Sequence, residues 1–190
     1  MRLNGTTASG DRIEPIAGIV LVARGDESAA PVDDEVPQNE RLRILLDDLS
    51  AGGCDELYVV LGSRLVVPPT DSSTTFYLPG WFEALDESVG AAIDFARSRP
   101  DLAGVLLQTV DAPVLGEVGV RRVLAAAGGS RDTMARATWN GRPSQPVYVG
   151  AGMLAQAAEL VAQAGGAVAY LDHNAAALAQ VDCSDLTSTP

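Results

Sequence analysis

One stretch constrains the fold more than any other: Gly104-Val105-Leu106-Leu107-Gln108-Thr109-Val110-Asp111-Ala112-Pro113-Val114. It is a near-continuous apolar run closed by a carboxylate and a proline. A run with so little polar alternation fits a strand covered on both faces, hence a central strand of a parallel sheet. Pro113 closes it, because proline offers no N–H to a ladder. Asp111 then stands just past the carboxyl end of that strand, the edge at which open α/β sheets bind ligands. A carboxylate there is placed to hold Mg²⁺ against a nucleotide phosphate. The alternative is an aspartate that closes a turn or caps the next helix.

The flanking segments alternate between strand and helix patterns. Residues 1–14 are polar and aperiodic and are expected to be a flexible tail, with residues 15–190 forming a single domain. The apolar run over residues 16–23 is a first buried strand. A long acidic loop bounded by Pro31 and Pro37 follows it. Asn39 is placed to cap a helix over residues 40–51, on which Leu42, Leu45, Leu46 and Leu49 form one stripe. Gly52-Gly53 stops that helix. A second strand covers residues 57–61. The loop over residues 62–80 contains a candidate short strand at residues 63–67. Residues 81–99 have a helical pattern, with Trp81, Leu85, Val89, Ala92 and Ala96 on one side.

Past the central strand, residues 116–127 are helical. Residues 133–139 alternate like a strand with one exposed face. Asn140-Gly141 is a hairpin turn signal, and residues 145–150 return as the partner strand. Pro146 suits an edge strand or a strand start. An alanine-rich helix at residues 151–164, a short helix at 166–171 and a last strand at 179–182 complete the order. Such alternation predicts an α/β fold: a three-layer α/β/α sandwich on a mostly parallel sheet, with an antiparallel hairpin.

Charge excludes some functions. The formal net charge is −12, and all 13 basic residues are arginine. A surface this acidic argues against nucleic acid, which needs a basic footprint, and against anionic membranes. No apolar run approaches the roughly 20 residues that span a bilayer. Cys54 and Cys183 lack metal-ligand spacing and suit reduced thiols in the cytoplasm.

Several motifs have two readings. The loop Arg24-Gly25-Asp26-Glu27-Ser28 could cradle phosphate, yet Asp26, Glu27, Asp33, Asp34 and Glu35 would repel a triphosphate, and a solvated acidic loop is the plainer reading. His173, the only histidine, follows no nucleophile motif and suits a helix end or the surface. Arg142 and Gln145, on the hairpin, either line a pocket or decorate a turn. Trp81 is a core residue or a stacking platform.

These segments together resemble the MobA-like nucleotidyltransferases, in particular the molybdenum-cofactor cytidylyltransferase branch. The likeness extends from Ala17 to Asp185. It is carried by the opening strand at residues 18–23, by residues 45–62 with Ala51-Gly52-Gly53-Cys54-Asp55-Glu56-Leu57, and by residues 105–113, which match a strand ending in Gly-Asp-x-Pro. Arg142 to Pro146 is similar to the family's Arg-Gly-His-Pro hairpin, and residues 165–173 to the short helix before its last strand. The resemblance implies a Rossmann-like fold that binds a nucleoside triphosphate, CTP or GTP, with Mg²⁺. It implies transfer of the nucleoside monophosphate to a phosphorylated acceptor such as molybdopterin, with release of pyrophosphate. Asp111 falls on the metal-binding aspartate, Ala23, Arg24, Gly25 and Ser28 on the nucleotide-binding loop, and Arg142 and Gln145 on the hairpin, as acceptor or pocket residues.

The chain departs from that pattern. The family's loop arginine is not in place, and its lysine has no counterpart because the chain contains no lysine. Val110 stands for the glycine before the metal aspartate, and Gln145 for the hairpin histidine. The late acidic motif is either worn to Asp182 or missing. Two functions therefore stand side by side: an active nucleotidyltransferase, or a lapsed relative that serves as a binding or regulatory partner of another protein.

Overall fold

The computed structural model describes residues 14–22, 37–61, 74–77, 85–161, 171, 174 and 176–186. The apolar run at the centre of the sequence is strand β4, Gly104–Thr109, buried along its whole length. It earns that position because it can offer apolar side chains to both faces of a sheet. The strands preceding it are β1 (Ile16–Val22), β2 (Glu56–Leu61) and β3 (Thr74–Tyr77). Those following it are β5 (Met134–Trp139), β6 (Arg142–Gly150) and β7 (Leu178–Asp182). They join one sheet in the order β3-β2-β1-β4-β6-β5-β7. Only β6 runs against the rest.

Helices α1 (Gln38–Gly52) and α3 (Gly116–Ala127) cover one face of the sheet. Leu42, Leu45, Leu46, Leu49, Val120 and Val123 pack there against Val20, Val59 and Leu106. Helices α2 (Leu85–Arg97) and α4 (Leu154–Val161) cover the other face, where Val89, Ala92, Ile93, Leu154 and Ala157 meet Ile19, Val105 and Leu107. The expected α/β/α sandwich on a mostly parallel sheet is thus the observed one. Among the described residues no helix is long and apolar enough to cross a membrane.

Local chemistry accounts for most boundaries and corrects several expectations. Helix α1 starts behind Pro37, whose carbonyl accepts the Glu40 and Arg41 N–H groups. Asn39 is therefore inside the first turn and is not the cap. Gly53 ends α1 at φ 117°, and the Cys54 N–H returns to the Leu49 carbonyl at 2.9 Å. Asn140 and Gly141, at φ 51° and 72°, make the tight turn between β5 and β6 as expected.

Strand β5 has no exposed face. It lies between β6 and β7 with helices on both sides, and Met134 through Thr138 are all buried. Pro146 is also not at an edge, because β6 lies between β4 and β5. Its missing N–H is tolerated where the β5–β6 register shifts, between Arg136 and Thr138, and just before the β4 ladder opens at Val147. The Gln145–Pro146 peptide is cis.

The loop expected over residues 62–80 holds β3, a four-residue edge strand paired with β2. Helix α2 ends at Arg97, two residues before the expected end, while its expected start at residues 81–84 lies outside the described residues, and residues 151–161 divide into a 3₁₀ turn, Ala151–Met153, and α4. The candidate strand at residues 63–67, Trp81, His173 and nearly all of the expected helix at 166–171 lie outside the described residues.

Candidate active site at the carboxyl end of β4

Topology singles out one edge of the sheet. From β1 the chain moves outward through β2 to β3, then returns to the opposite side of β1 with β4. The reversal puts a switch point between β1 and β4, and ligands of open α/β sheets enter there, beyond the strands' carboxyl ends. The Val110 N–H donates to the Leu21 carbonyl at 3.0 Å, so the two strands stay paired up to that edge. Asp111 is the next residue and is partly exposed.

Two side chains from distant segments fix the backbone around Asp111. From the first turn of α1, Arg41 donates through Nε to the Val110 carbonyl at 3.1 Å and through Nη2 to the Ala112 carbonyl at 3.0 Å. Its guanidinium is buried, so these charge-assisted bonds form away from bulk water, where they are stronger. From β6, the Gln145 Oε1 accepts the Thr109 backbone N–H at 2.6 Å. That N–H would have met a ladder carbonyl had the β4–β6 pairing continued past Leu107 and Val147. The Gln145 bond lies before Asp111 and the Arg41 bonds on each side of it, so the carboxylate is carried by a backbone with few remaining freedoms.

The other expected site residues divide. Gln145 comes together with Asp111 through Thr109. Arg142 is exposed at the hairpin, paired across the turn with Trp139, and forms no ion pair among the described residues. Ala23, Arg24, Gly25 and Ser28 lie outside the described residues. Arg41 was missed by the sequence reading. Its signal was its position: it lies four residues before Leu45 and eight before Leu49, on the apolar stripe, where a charge needs a buried partner.

Asp182 is remote from Asp111. It ends β7, three strands away from β4, about 14 Å at the usual strand spacing. Its carboxylate accepts the Ser184 N–H and hydroxyl, and these bonds hold it below the usual carboxylate range. Among the described residues no three of His, Cys, Asp and Glu gather as a cation site. Asp111 offers one hard oxygen donor at the open edge, and Mg²⁺ is commonly held by one or two carboxylates plus substrate phosphates and water. The donor type therefore fits a divalent cation that a phosphorylated substrate helps to bind.

A second charged group lies at the other end of the strands. Arg99 reaches the Glu56 carboxylate, the Asp101 carboxylate and the Tyr58 hydroxyl. Those contacts hold Glu56 and Asp101 below their ordinary range. It ties the amino end of β2 to the turn before β4, on the edge opposite Asp111, and is a structural clasp.

A family model described as the MobA-like NTP transferase domain matches residues 17–181. The chain belongs to that family. Solved structures share the fold of this MobA-like domain at low identity. Rv0371c of Mycobacterium tuberculosis H37Rv, in a complex with manganese, is 20% identical, with a TM-score of 0.61 over 88% of this chain and 87% of that one. The Methanothermobacter nucleotidyl transferase Mth528 is 16% identical, with a TM-score of 0.62 over 88% and 87%. The 2-C-methyl-D-erythritol 4-phosphate cytidylyltransferase of Thermus thermophilus is 16% identical, with a TM-score of 0.55 over 90% and 92%. No curated protein sequence matches the chain.

Proposed function

We propose that this MobA-like domain transfers a nucleoside monophosphate from CTP or GTP to a phosphorylated acceptor such as molybdopterin. In that reaction an acceptor phosphate oxygen bonds to the α-phosphorus, the bond from that phosphorus to the bridging oxygen breaks, and pyrophosphate leaves with the electron pair. The chemistry needs little covalent participation by the protein; it needs position and neutralised charge. The observation that carries the reading is the placement of Asp111 at the switch point, on a backbone held by Arg41 and Gln145. Mg²⁺, when bound, would supply Lewis-acid charge neutralisation, and Asp111 is the residue assigned to hold it. Arg142 and Gln145, on the β5–β6 hairpin, are assigned to the acceptor side, and Ala23, Arg24, Gly25 and Ser28 to the nucleotide. Two buried, unpaired cysteines fit a cytoplasmic setting.

A second reading rests on sequence. The loop after β1 carries Asp26, Glu27, Asp33, Asp34 and Glu35, and the chain has no lysine to offset them. Such a loop favours a lapsed relative that binds a protein partner and turns over no nucleotide. Calorimetric titration of CTP, then GTP, with Mg²⁺ separates the two. Saturable micromolar binding lost in Asp111→Asn, with the thermal midpoint unchanged, supports the transferase. No heat from either nucleotide at millimolar concentration would leave the lapsed reading in place.

A further inference from the structure

The two buried arginines of the described chain are treated very differently. Arg41 spends its guanidinium on two backbone carbonyls. Arg136, in the middle of β5, is 9% exposed, and its Nε is fully buried without an acceptor. Among the described residues its side chain forms no hydrogen bond and no ion pair. A guanidinium so far withdrawn from water, with no acceptor for its buried Nε, is costly to hold in place, and an apolar side chain of similar volume would serve packing better. The cost is offset if an anion completes the site.

The strand pattern locates that site. Ala135 and Ala137 belong to the core under α1 and α3, and Met134 to the core under α2 and α4. Alternation puts Arg136 and Thr138 on the α2/α4 side. Arg136 is level with Val147 on β6 and Gln180 on β7, and it lies three residues before the carboxyl end of β5. That end lies on the same sheet edge as Asp111, because β4 and β5 are parallel. The carboxylate nearest in register, Asp182, opposite Thr138, is already engaged by Ser184.

We propose that Arg136 anchors an oxyanion site for a small molecule bearing a single phosphate group, entered from the carboxyl edge of β5 on the α2/α4 side. One guanidinium offers a planar fork of donors, which matches two oxygens of a phosphate. A single guanidinium offsets half or more of the charge of one such group, about −1.5 to −2 at neutral pH, and far less of a triphosphate's. The site stands on the burial of Arg136 and does not depend on the transferase reading.

The test uses the full chain, Arg136→Met and Arg136→Lys, without nucleotide or divalent metal. The probes are inorganic phosphate and ribose 5-phosphate, read by thermal midpoint and by calorimetric titration. Wild type should show a saturable rise with phosphate, and tighter binding of the sugar phosphate would identify an organic phosphomonoester as the source. Arg136→Met should weaken phosphate binding about tenfold or more. Without ligand its midpoint should equal or exceed the wild type's, since an uncompensated charge has been removed. Arg136→Lys, which keeps the charge and loses the fork, should fall between. The assay contains neither nucleotide nor divalent metal, so failure of the transferase reading leaves this result untouched. Absence of a saturable response in wild type, or an unchanged response in Arg136→Met, overturns the proposal. If Arg136→Met does not fold, wild-type affinity in Arg136→Lys overturns it instead.

Discussion

Arg41 and Ala112 are 71 residues apart in sequence, yet Arg41 Nη2 donates to the Ala112 carbonyl at 3.0 Å. The same guanidinium reaches the Val110 carbonyl, so one side chain of α1 grips the chain on both sides of Asp111. Arg41→Leu keeps the apolar stripe of α1 but strands two carbonyls. The expected loss is about 2–4 kcal/mol, from two charge-assisted bonds and the desolvated groups they leave. Urea unfolding measures it as a lower midpoint at an unchanged slope. Arg41→Lys should recover only a minor part, because an ammonium cannot serve two carbonyls with fork geometry. The sign is opposite to that expected for Arg136→Met, although both arginines are buried. A midpoint for Arg41→Leu within error of wild type would show that the grip contributes nothing.

Gln145 replaces a ladder carbonyl with a side-chain oxygen at the last amide of β4. Gln145→Ala leaves the Thr109 N–H without its acceptor and should cost about 1 kcal/mol. Hydrogen exchange gives the sharper readout. The Thr109 amide should lose protection in Gln145→Ala while those of Leu106 and Leu107 keep theirs. Equal loss along all of β4 would show that the substitution weakens the sheet as a whole.

Much of this architecture was legible because its elements are buried on a regular period. β1 and β4 announce themselves as unbroken apolar runs, and α3 by Val120 and Val123 at the spacing of one helix face. What was not legible depends on tertiary contact. β3 is a four-residue edge strand ordered by pairing with β2, and its Thr74-Thr75 start matches the surrounding loop composition. β5 mixes Ala, Arg and Thr, so its pattern mimics a half-exposed strand. Its burial comes from neighbours on both sides, which no local period encodes. The place of Asp111 was legible because proline and strand end coincide. Its grips were not, since Arg41 and Gln145 act across large sequence separations.

Gly52 and Gly53 show two reasons for one dipeptide. Gly53 adopts a left-handed φ of 117° and ends α1, as the sequence suggested. Gly52 is the last helical residue, and its need is space: a Cβ there would overlap Val120 Cγ1 on α3. Gly52→Ala should push α1 from α3 and cost about 1–3 kcal/mol by overpacking. Pairing it with Val120→Gly, which removes both the Cγ1 and the Cβ that the new methyl would meet, should relieve the clash, so the double variant loses less than the sum of the single losses. Strict additivity in denaturant unfolding would show that the helices do not meet at this point.

The chain beyond β7 is fastened to α3 by charge. Arg122 donates through Nη1 and Nη2 to the two Asp185 carboxylate oxygens at 2.5 and 2.7 Å. The guanidinium holds the Asp185 carboxyl below the usual carboxylate range. A carboxyl whose pKa is lowered on folding stabilises the native state above its unfolded pKa, near about 4, and that contribution fades as pH falls through the lowered folded value. Asp182, held low chiefly through Ser184, adds to the same acid limb in wild type and variant alike. Asp185→Asn should therefore lower the thermal midpoint at pH 7 and converge on wild type as pH falls through the lowered folded value, below which both chains lack the charge. Because both partners face solvent, the difference at pH 7 should be small and should shrink further in high salt. A difference that persists undiminished in acid would assign the effect to lost hydrogen bonding or packing, not to the Asp185 charge.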